Sequence, residues 1–293
     1  MAAVTVPERI FPPPAGPSTS GRRRRALIAV VAGWMVVVAG LAVWSVGRDP
    51  ATVVEQRDIA QALPELQRAA GVVFAAASGP GRAVLLGDLQ VSGDCQITPV
   101  RAGASADRDI TVFIRAGEAR AGVAAIAAAL PTSYHVQVTA ARGGTELALH
   151  ADAGDFIGID GSLDAGDHLL TLRVSSGCRS PVSGNLDRSD PAAGPAPAAL
   201  GAALAALGAS GAGASSGPPA VQTIVCPDGA TAGSYTVGGV AAPADLGRSL
   251  HGVASGASLI WSDPTGWAYR AGNDSVVVQP DGKQLWVSAT TAC

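Results

Sequence analysis

The apolar positions of the chain begin with one long uninterrupted run near the N-terminus. Residues 26–46 contain no charged side chain. At about 1.5 Å of rise per residue, a helix of that length covers the roughly 30 Å hydrocarbon core of a bilayer. The apolar part of a cleaved signal peptide is shorter, about 7–15 residues, and ends in small residues. Because Trp44 stands near the end of this run, the pattern predicts an uncleaved transmembrane helix over residues 26–47, with the lipid bilayer as a partner.

Beyond this run, apolar residues recur at the spacings of strands and helices, in an order that occurs twice. In the first region "RDITVFIR" alternates like a strand, "GEARAGVAAIAAALP" has the spacing of a helix stopped by proline, and further alternating stretches follow. In the second region "SYTVGGV" predicts a strand, "APADLGRSLHGVA" a helix, and the remaining residues a run of strands. The pattern predicts an α+β fold of two small modules, each an antiparallel sheet with a helix on one face, and suggests that the modules are repeats.

One more helix is predicted ahead of the first module. In "EQRDIAQALPELQRAAGVVFAAAS", Ile59, Leu63, Leu66 and Ala70 recur at helical spacing. Pro64 falls inside this pattern, and proline is tolerated best in the first turn of a helix. We therefore predict that a new helix begins at Pro64 and packs on the first sheet.

A change in composition separates the two modules. The stretch "SDPAAGPAPAALGAALAALGASGAGASSGPPA" has no aromatic and no β-branched residue and almost no charge, which is typical of a flexible linker. The predicted organisation is a disordered basic cytoplasmic tail (1–25), the transmembrane helix (26–47), an extracytoplasmic α+β domain (51–188), the linker (189–220) and a small C-terminal α+β domain (221–293).

All four cysteines lie beyond the apolar run, and disulfides persist in oxidising compartments outside the cytoplasm. Four cysteines allow three pairings. The linker leaves two cysteines in each module, so we predict the pairs Cys95–Cys178 and Cys226–Cys293, each worth about 4 kcal/mol in the chain-entropy model. Metal binding is the other use of cysteine, but no Cys-x-x-Cys or Cys/His spacing of that kind occurs. We expect neither a metal nor a cofactor.

Charge is divided unevenly by the apolar run. The residues before it carry five Arg and one Glu, a net charge of +4, whereas residues 48–293 carry fourteen Arg, one Lys and twenty-two acidic residues, a net charge of −7. A basic cluster, made of Arg22, Arg23, Arg24 and Arg25, directly precedes the apolar run. By the positive-inside rule, this cluster places the N-terminus in the cytoplasm and the rest of the chain outside the plasma membrane. The acidic outer part argues against nucleic acid as a partner.

Polar residues on predicted strands of the first module form one candidate binding site. His135 alternates with apolar neighbours, and His150 and Asp152 lie two apart on one strand and so share a face. One interpretation is a polar surface for a ligand or partner, and the alternative is a solvated sheet face. A metal or acid–base site near Asp152 competes with the simpler interpretation that the neighbouring aspartates brace turns.

Aromatic residues of the second module form another candidate binding site. Five of the eight Trp and Tyr residues of the chain lie in its last 73 residues, namely Trp261, Trp267, Tyr269, Tyr235 and Trp286. Aromatic side chains at a surface bind glycans or protein partners well, because their large rings supply contact area at low entropic cost. The alternative is that a small domain buries these rings as its core.

Several stretches together resemble a known class of protein. They are the arginine run before the apolar segment, "CQITPVR", "HADAGDFIGI" and "SDPTGWAYRAGNDSVVV". The combination is similar to single-pass, membrane-anchored envelope proteins of actinobacteria. The resemblance covers the anchor and both outer regions; it implies the membrane topology and no particular activity.

These observations indicate a membrane-anchored, extracytoplasmic binding or scaffolding protein of the cell envelope, with an envelope protein or a glycan as partner. The alternative is an envelope hydrolase, which requires His150, Asp152 and His168 to converge. The formal hydrolase motif "GASSG" falls in the linker, where the strand and helix that such a motif needs are not predicted. A transmembrane signalling regulator is a further alternative, but a tail of about twenty residues is too short to fold. We therefore expect binding rather than catalysis.

Overall fold

The first structural unit of the chain is described as a single apolar helix. The computed structural model describes residues 20–46, 57–182, 184–209 and 218–293, and the chain divides into the units Met1–Thr52 and Val53–Cys293. Helix α1 runs over Ser20–Val46, and its span Arg23–Trp44 is long and apolar enough to cross a membrane. Its large apolar side chains are exposed on all sides, as expected of a helix that contacts lipid.

Helix α1 begins earlier than predicted, at Ser20 rather than Ala26, so the arginine run lies within the helix. Residues 1–19 of the predicted tail lie outside the described residues. An apolar helix near the N-terminus can be either a membrane anchor or a signal sequence. Together with the disulfides, it fits a membrane-anchored protein whose second unit is extracytoplasmic.

The second unit begins with a six-stranded antiparallel sheet, here called sheet 1. Its strand order is β1-β2-β6-β5-β4-β3, and two helices accompany it. The elements are α2 (Ile59–Ala77), β1 (Arg82–Thr98), β2 (Arg101–Ile114), α3 (Ala119–Ala129), β3 (Gln137–Ala141), β4 (Glu146–Asp152), β5 (Gly158–Asp164) and β6 (Leu169–Ser175).

The second sheet of this unit, sheet 2, is also six-stranded and antiparallel, in the order β7-β8-β12-β11-β10-β9. Two further helices accompany it. The elements are α4 (Ala198–Ala206), β7 (Ala220–Val225), β8 (Thr231–Ala241), α5 (Leu246–Ala254), β9 (Ser258–Ser262), β10 (Trp267–Ala271), β11 (Asp274–Asp281) and β12 (Gln284–Thr290). The fold class is therefore α+β with two antiparallel sheets.

The two sheets have the same topology. The hypothesis that the two modules are repeats requires this. Each has a helix before its first strand, a helix between its second and third strands, and the strand order 1-2-6-5-4-3. Disulfide Cys95–Cys178 joins the first hairpin of sheet 1 to the segment after its last strand, and Cys226–Cys293 does the same in sheet 2. These are the pairs expected from the position of the linker.

The helices cover one face of each sheet. On sheet 1, Ile110, Val112 and Leu172 are buried beneath α2 and α3 with Leu66 and Phe74. Alternation along the strands places these residues on one face, and helical spacing aligns the apolar residues of α2 with them. The opposite face of each sheet is therefore not covered by the helices of that sheet.

The predicted break at Pro64 is wrong. Helix α2 begins after Asp58, whose side chain accepts a hydrogen bond from the Gln61 amide at 2.9 Å, and it continues through Pro64. Proline there removes one backbone hydrogen bond. The apolar face of α2, which includes the fully buried Leu66, packs on sheet 1 and outweighs that loss.

The stretch predicted as a linker makes specific contacts with the second module. Helix α4 lies within it, and Leu200 and Ala203 are buried in the same cluster as Leu250 of α5. The Tyr235 hydroxyl donates to the Gly194 carbonyl at 2.8 Å. Low-complexity composition predicts flexibility, but tertiary contacts hold residues of this stretch against sheet 2.

The edge of sheet 1 docks on a face of sheet 2. The amide of Val84 donates to Ser275 Oγ at 3.0 Å, and the amide of Leu86 donates to Ser234 Oγ at 2.8 Å. An apolar cluster seals the contact, and its members are Ala83, Phe113, Ile260, Ala268 and Val277. A strand edge that would otherwise be open to pairing is thereby satisfied by side chains.

Removing these two hydroxyls tests the docking contact. We expect the double variant Ser234→Ala with Ser275→Ala to lower the free energy of unfolding by about 1–3 kcal/mol per site, because a buried amide loses its acceptor. Urea unfolding of the protein, followed by tryptophan fluorescence, measures the change. Ser255→Ala on the exposed end of α5 is the control and should stay within about 0.5 kcal/mol; equal effects would contradict this account.

Candidate binding groove

The face of sheet 1 opposite its helices carries a straight row of polar side chains. Gln137, His150, Asp160, Arg173 and Asp109 occupy directly paired positions on neighbouring strands. His150 Nδ1 lies 2.7 Å from Asp160 Oδ1, and Arg173 Nε donates to Asp109 Oδ1 at 2.9 Å. The hydrogen bond with Asp109 raises the pKa of Arg173. The row is an exposed surface on which opposite charges are already paired.

A groove of about 470 Å³ lies where this face of sheet 1 meets sheet 2. One wall is a bulge of β1 at Gly87 and Asp88, and the other is the part of sheet 2 beyond the docked edge. Small-ligand sites have volumes of about 300–1,000 Å³. We call this the corner groove, and its polar side chains are Asp88, Thr111, Gln222, Ser234, Thr236, Gln279 and Ser288.

Most of these polar groups are available for new hydrogen bonds. Within the described part of the chain, the side chains of Asp88, Thr111, Gln222 and Gln279 have no hydrogen-bond partner, and no buried side-chain nitrogen or oxygen is left unsatisfied. Their donors and acceptors therefore face solvent. The other groove hydroxyls already have partners: Thr236 Oγ1 pairs with Ser288 Oγ at 2.8 Å, and Ser234 Oγ pairs with Thr290 Oγ1 at 2.6 Å.

Trp286 is the large aromatic residue of the groove. The residue is 50% exposed, and its Nε1 donates to Asp281 Oδ2 at 2.6 Å. The ring lies against Gly238, where an added Cβ would approach the indole to 3.2 Å. The hydrogen bond and the contact with a residue that lacks a side chain fix the orientation of the ring while its surface stays open.

The groove is nearly uncharged. Among the described residues that line it, Asp88 carries the one ionisable side chain, and none is Lys, Arg or His. An anionic ligand would find no cation there to pair with. The electrostatics therefore favour a neutral or a cationic ligand.

The structure separates the three candidates of the first module. His150 lies in the polar row. His135 does not lie on a strand, because it follows the 3₁₀ turn Thr132–Tyr134 with a φ of 48° and β3 begins only at Gln137. Asp152 accepts a hydrogen bond from the Gly154 amide at 2.9 Å, which is the turn-bracing role.

The aromatic candidates of the second module do not form one surface, and of the five only Trp286 lines the corner groove. Tyr269 is buried in the core of sheet 2, and burial raises its pKa to about 12. Trp267 packs against the same core. Trp261 stacks on His168 with ring centroids 4.5 Å apart and lies 5.7 Å from Phe113, at the junction of the two sheets.

The residues that a hydrolase site would need do not converge. His150 and Arg173 both pair with Asp160, so they lie at the same height on the sheet. His168 precedes Arg173 by five residues, which at strand spacing puts His168 roughly 16 Å from Arg173 along the strand direction. Asp152 is farther along β4 in the opposite direction. "GASSG" lies outside the described residues. Among the residues that the structure does describe, no group of three or more His, Cys, Asp or Glu side chains is arranged to hold a metal ion.

The sequence placed Trp286 among the aromatic candidates but did not predict the groove itself, although one further signal was present. In "KQLWVSAT", Trp286 stands between Leu285 and Val287, which are both buried. Strict alternation therefore assigns it to the polar face of its strand, together with Gln284 and Ser288. This assignment leaves a large aromatic ring at the surface, where its face is open to a ligand.

Comparison with known proteins adds little. No protein-family model matches the chain, and no curated protein matches it. A crystal structure of a DUF4853 family protein from Actinomyces odontolyticus ATCC 17982 is similar at 20% identity over 48% of this chain and 73% of that chain, with a TM-score of 0.27. A similarity at that TM-score supports no argument about this chain.

Proposed function

We propose that the protein is a membrane-anchored binding protein of the cell envelope, and that its ligand or partner is held in the corner groove. The observation that carries the proposal is the half-exposed indole of Trp286 in a concave site built from both sheets. A solvated face accounts for the polar row of sheet 1. It does not account for a large aromatic ring held in one orientation beside unpaired amides.

The proposal includes a topology with the N-terminus in the cytoplasm and the second unit outside. Two observations support it. The arginine run precedes the apolar span, which is the arrangement of the positive-inside rule. Both disulfides lie in the second unit, and disulfides persist in oxidising compartments.

Retention of helix α1 is the first test of this topology. We expect the protein to remain in carbonate-washed membranes at its full mass of 28.9 kDa, with an N-terminal tag still attached. Val36→Arg, in the middle of the span, should reduce membrane insertion because an arginine there costs about 2.5–3.5 kcal/mol, whereas Val36→Leu should not. A tag-free, lighter protein released from the membrane would mean that the helix is a cleaved signal.

Photo-cross-linking tests the groove as the binding site. A photoreactive amino acid at Ala220, on the exposed rim of the groove, should capture one dominant species in intact cells. Trp286→Ala should reduce that capture about tenfold or more, because aromatic anchors dominate binding energy. Mass spectrometry of the captured species identifies its chemical class.

The same photoreactive group at Val100 is the matched control. Val100 is 94% exposed at the tip of the β1–β2 hairpin, outside the groove. It should capture nothing that depends on Trp286. Equal capture at both positions, or capture at Ala220 that survives Trp286→Ala, would rule out the groove as the binding site.

A further inference from the structure

We infer that the corner groove binds a neutral saccharide, which stacks on Trp286 and is held through its hydroxyl groups by the unpaired amides around it. This inference rests on the binding function proposed above and adds the chemical class of the ligand. It is carried by three properties of the groove: an open indole face, side chains that both donate and accept hydrogen bonds, and the near absence of charge.

The indole of Trp286 has the placement of a stacking platform. A pyranose ring presents a flat apolar face of C–H groups, and that face packs well on an aromatic ring. Nε1 already donates a hydrogen bond to Asp281, so the polar edge of the indole has its partner. A ligand would therefore contact the π-face of the ring. Gly238 allows the ring to take this position, because a Cβ atom at residue 238 would lie 3.2 Å from the indole.

The polar side chains near this platform match sugar hydroxyls. A hydroxyl group donates one hydrogen bond and accepts others, and the amides of Gln222 and Gln279 offer both functions in one side chain. The Thr111 hydroxyl and the Asp88 carboxylate add further partners. Within the described residues all four of these side chains lack a partner, so a saccharide would not have to break existing hydrogen bonds in the protein to pair with them.

A peptide bound by strand addition fits the site less well. That mode needs free backbone amides on a strand edge. The edge amides of Val84 and Leu86 in β1 already donate to serine hydroxyls, and the amide of Thr223 in the edge strand β7 donates to Asp190 Oδ2 at 2.9 Å. The groove thus offers a ligand side-chain amides and hydroxyls rather than a ladder of backbone groups.

The charge of the groove limits which saccharides can bind there. With Asp88 as its one ionisable lining side chain and no lining cation among the described residues, the groove would repel the carboxylate of an acidic sugar rather than pair with it. Neutral hexoses and N-acetylhexosamines carry no such penalty. We therefore expect a neutral oligosaccharide to bind and its uronic-acid counterpart to be rejected.

The test uses the full-length protein in phospholipid nanodiscs, so that no sugar detergent competes. An array of neutral oligosaccharides of two to six hexose or N-acetylhexosamine units, with acidic oligosaccharides of the same lengths, is probed, and titration calorimetry follows for those retained. We expect at least one neutral oligosaccharide to bind. Trp286→Ala should weaken binding about tenfold or more, and Gln222→Ala with Gln279→Ala should weaken it several-fold.

Two controls separate loss of the ligand from loss of the fold. Phe156→Ala removes another exposed aromatic ring, outside the groove, and should leave binding unchanged. Gly238→Ala keeps Trp286 but crowds its ring, and should weaken binding while the circular dichroism spectrum stays the same. Binding that is insensitive to both Trp286→Ala and Gly238→Ala would overturn the inference.

The outcomes also distinguish this inference from the proposed function. If no neutral oligosaccharide binds, but the photoreactive group at Ala220 captures a protein in a Trp286-dependent way, the groove is a binding site for a protein and the saccharide inference is wrong. If acidic oligosaccharides bind as tightly as neutral ones, the charge argument and the inference both fail. If neither binding nor Trp286-dependent capture occurs, the inference and the proposed function fall together.

Discussion

Replacing Arg108 by Ala is expected to lower the free energy of unfolding by about 3–5 kcal/mol, because it leaves the carboxylate of Asp190, which is only 22% exposed, without its partner. The Arg108 side chain is fully buried, and its two terminal nitrogens donate to the two Asp190 oxygens at 2.9 and 2.8 Å. Its Nε donates to the Gly87 carbonyl at 3.1 Å. Urea unfolding of the variant, followed by tryptophan fluorescence, measures the loss.

The matched control is Arg173→Ala. Arg173 also makes two hydrogen bonds to one aspartate, Asp109, but its side chain is 59% exposed. An exposed pair of this kind is worth only about 0–1 kcal/mol. If the two arginine variants lost equal stability, burial could not be the reason for the importance of Arg108.

Arg108 also connects stability to the proposed site. Its partner Asp190 accepts the amide of Thr223 in β7, so one carboxylate joins a strand of sheet 1 to the edge strand of sheet 2. Gln222, the neighbour of Thr223, lines the corner groove. We therefore expect Arg108→Ala to loosen β7 and to weaken binding at the groove, although Arg108 itself lines no part of it.

Removing the disulfide Cys226–Cys293 is the second change with a large expected effect. The bond closes a loop with a sequence separation of 67 residues, so the chain-entropy model predicts a loss of about 4 kcal/mol. The double variant Cys226→Ala with Cys293→Ala is preferred, because Cys226 is buried and alanine introduces no polar group there. Thermal and urea unfolding of this variant measure the effect.

The pair Cys95–Cys178 supplies the comparison. Its sequence separation is 83 residues, and the entropy of loop closure grows only with the logarithm of loop length. The corresponding double alanine variant should therefore lose nearly the same stability. A loss below about 1 kcal/mol in both variants would show that the folded protein does not depend on these bonds for its stability.

Local patterns in the sequence were sufficient for much of the architecture. Alternating and helical spacings predicted the strands after Cys95 and the helices before and after them, and one low-complexity stretch divided the four cysteines two and two. Such features depend on near neighbours along the chain. The exceptions are instructive: Pro64 was expected to start a helix, and His135 was expected on a strand. At Pro64 the packing of a continuous apolar face overrode local preference.

The corner groove lay beyond the reach of these patterns. Asp88, Gln222 and Trp286 belong to strands of two different sheets, and they meet because the edge of β1 rests on Ser234 and Ser275 of sheet 2. The Ser234 contact joins residues 148 positions apart. Periodicity reports which face of its own element a residue occupies, but it carries no information about which face of which sheet that element will contact. Docking is decided by complementarity between surfaces that exist only after each sheet has formed.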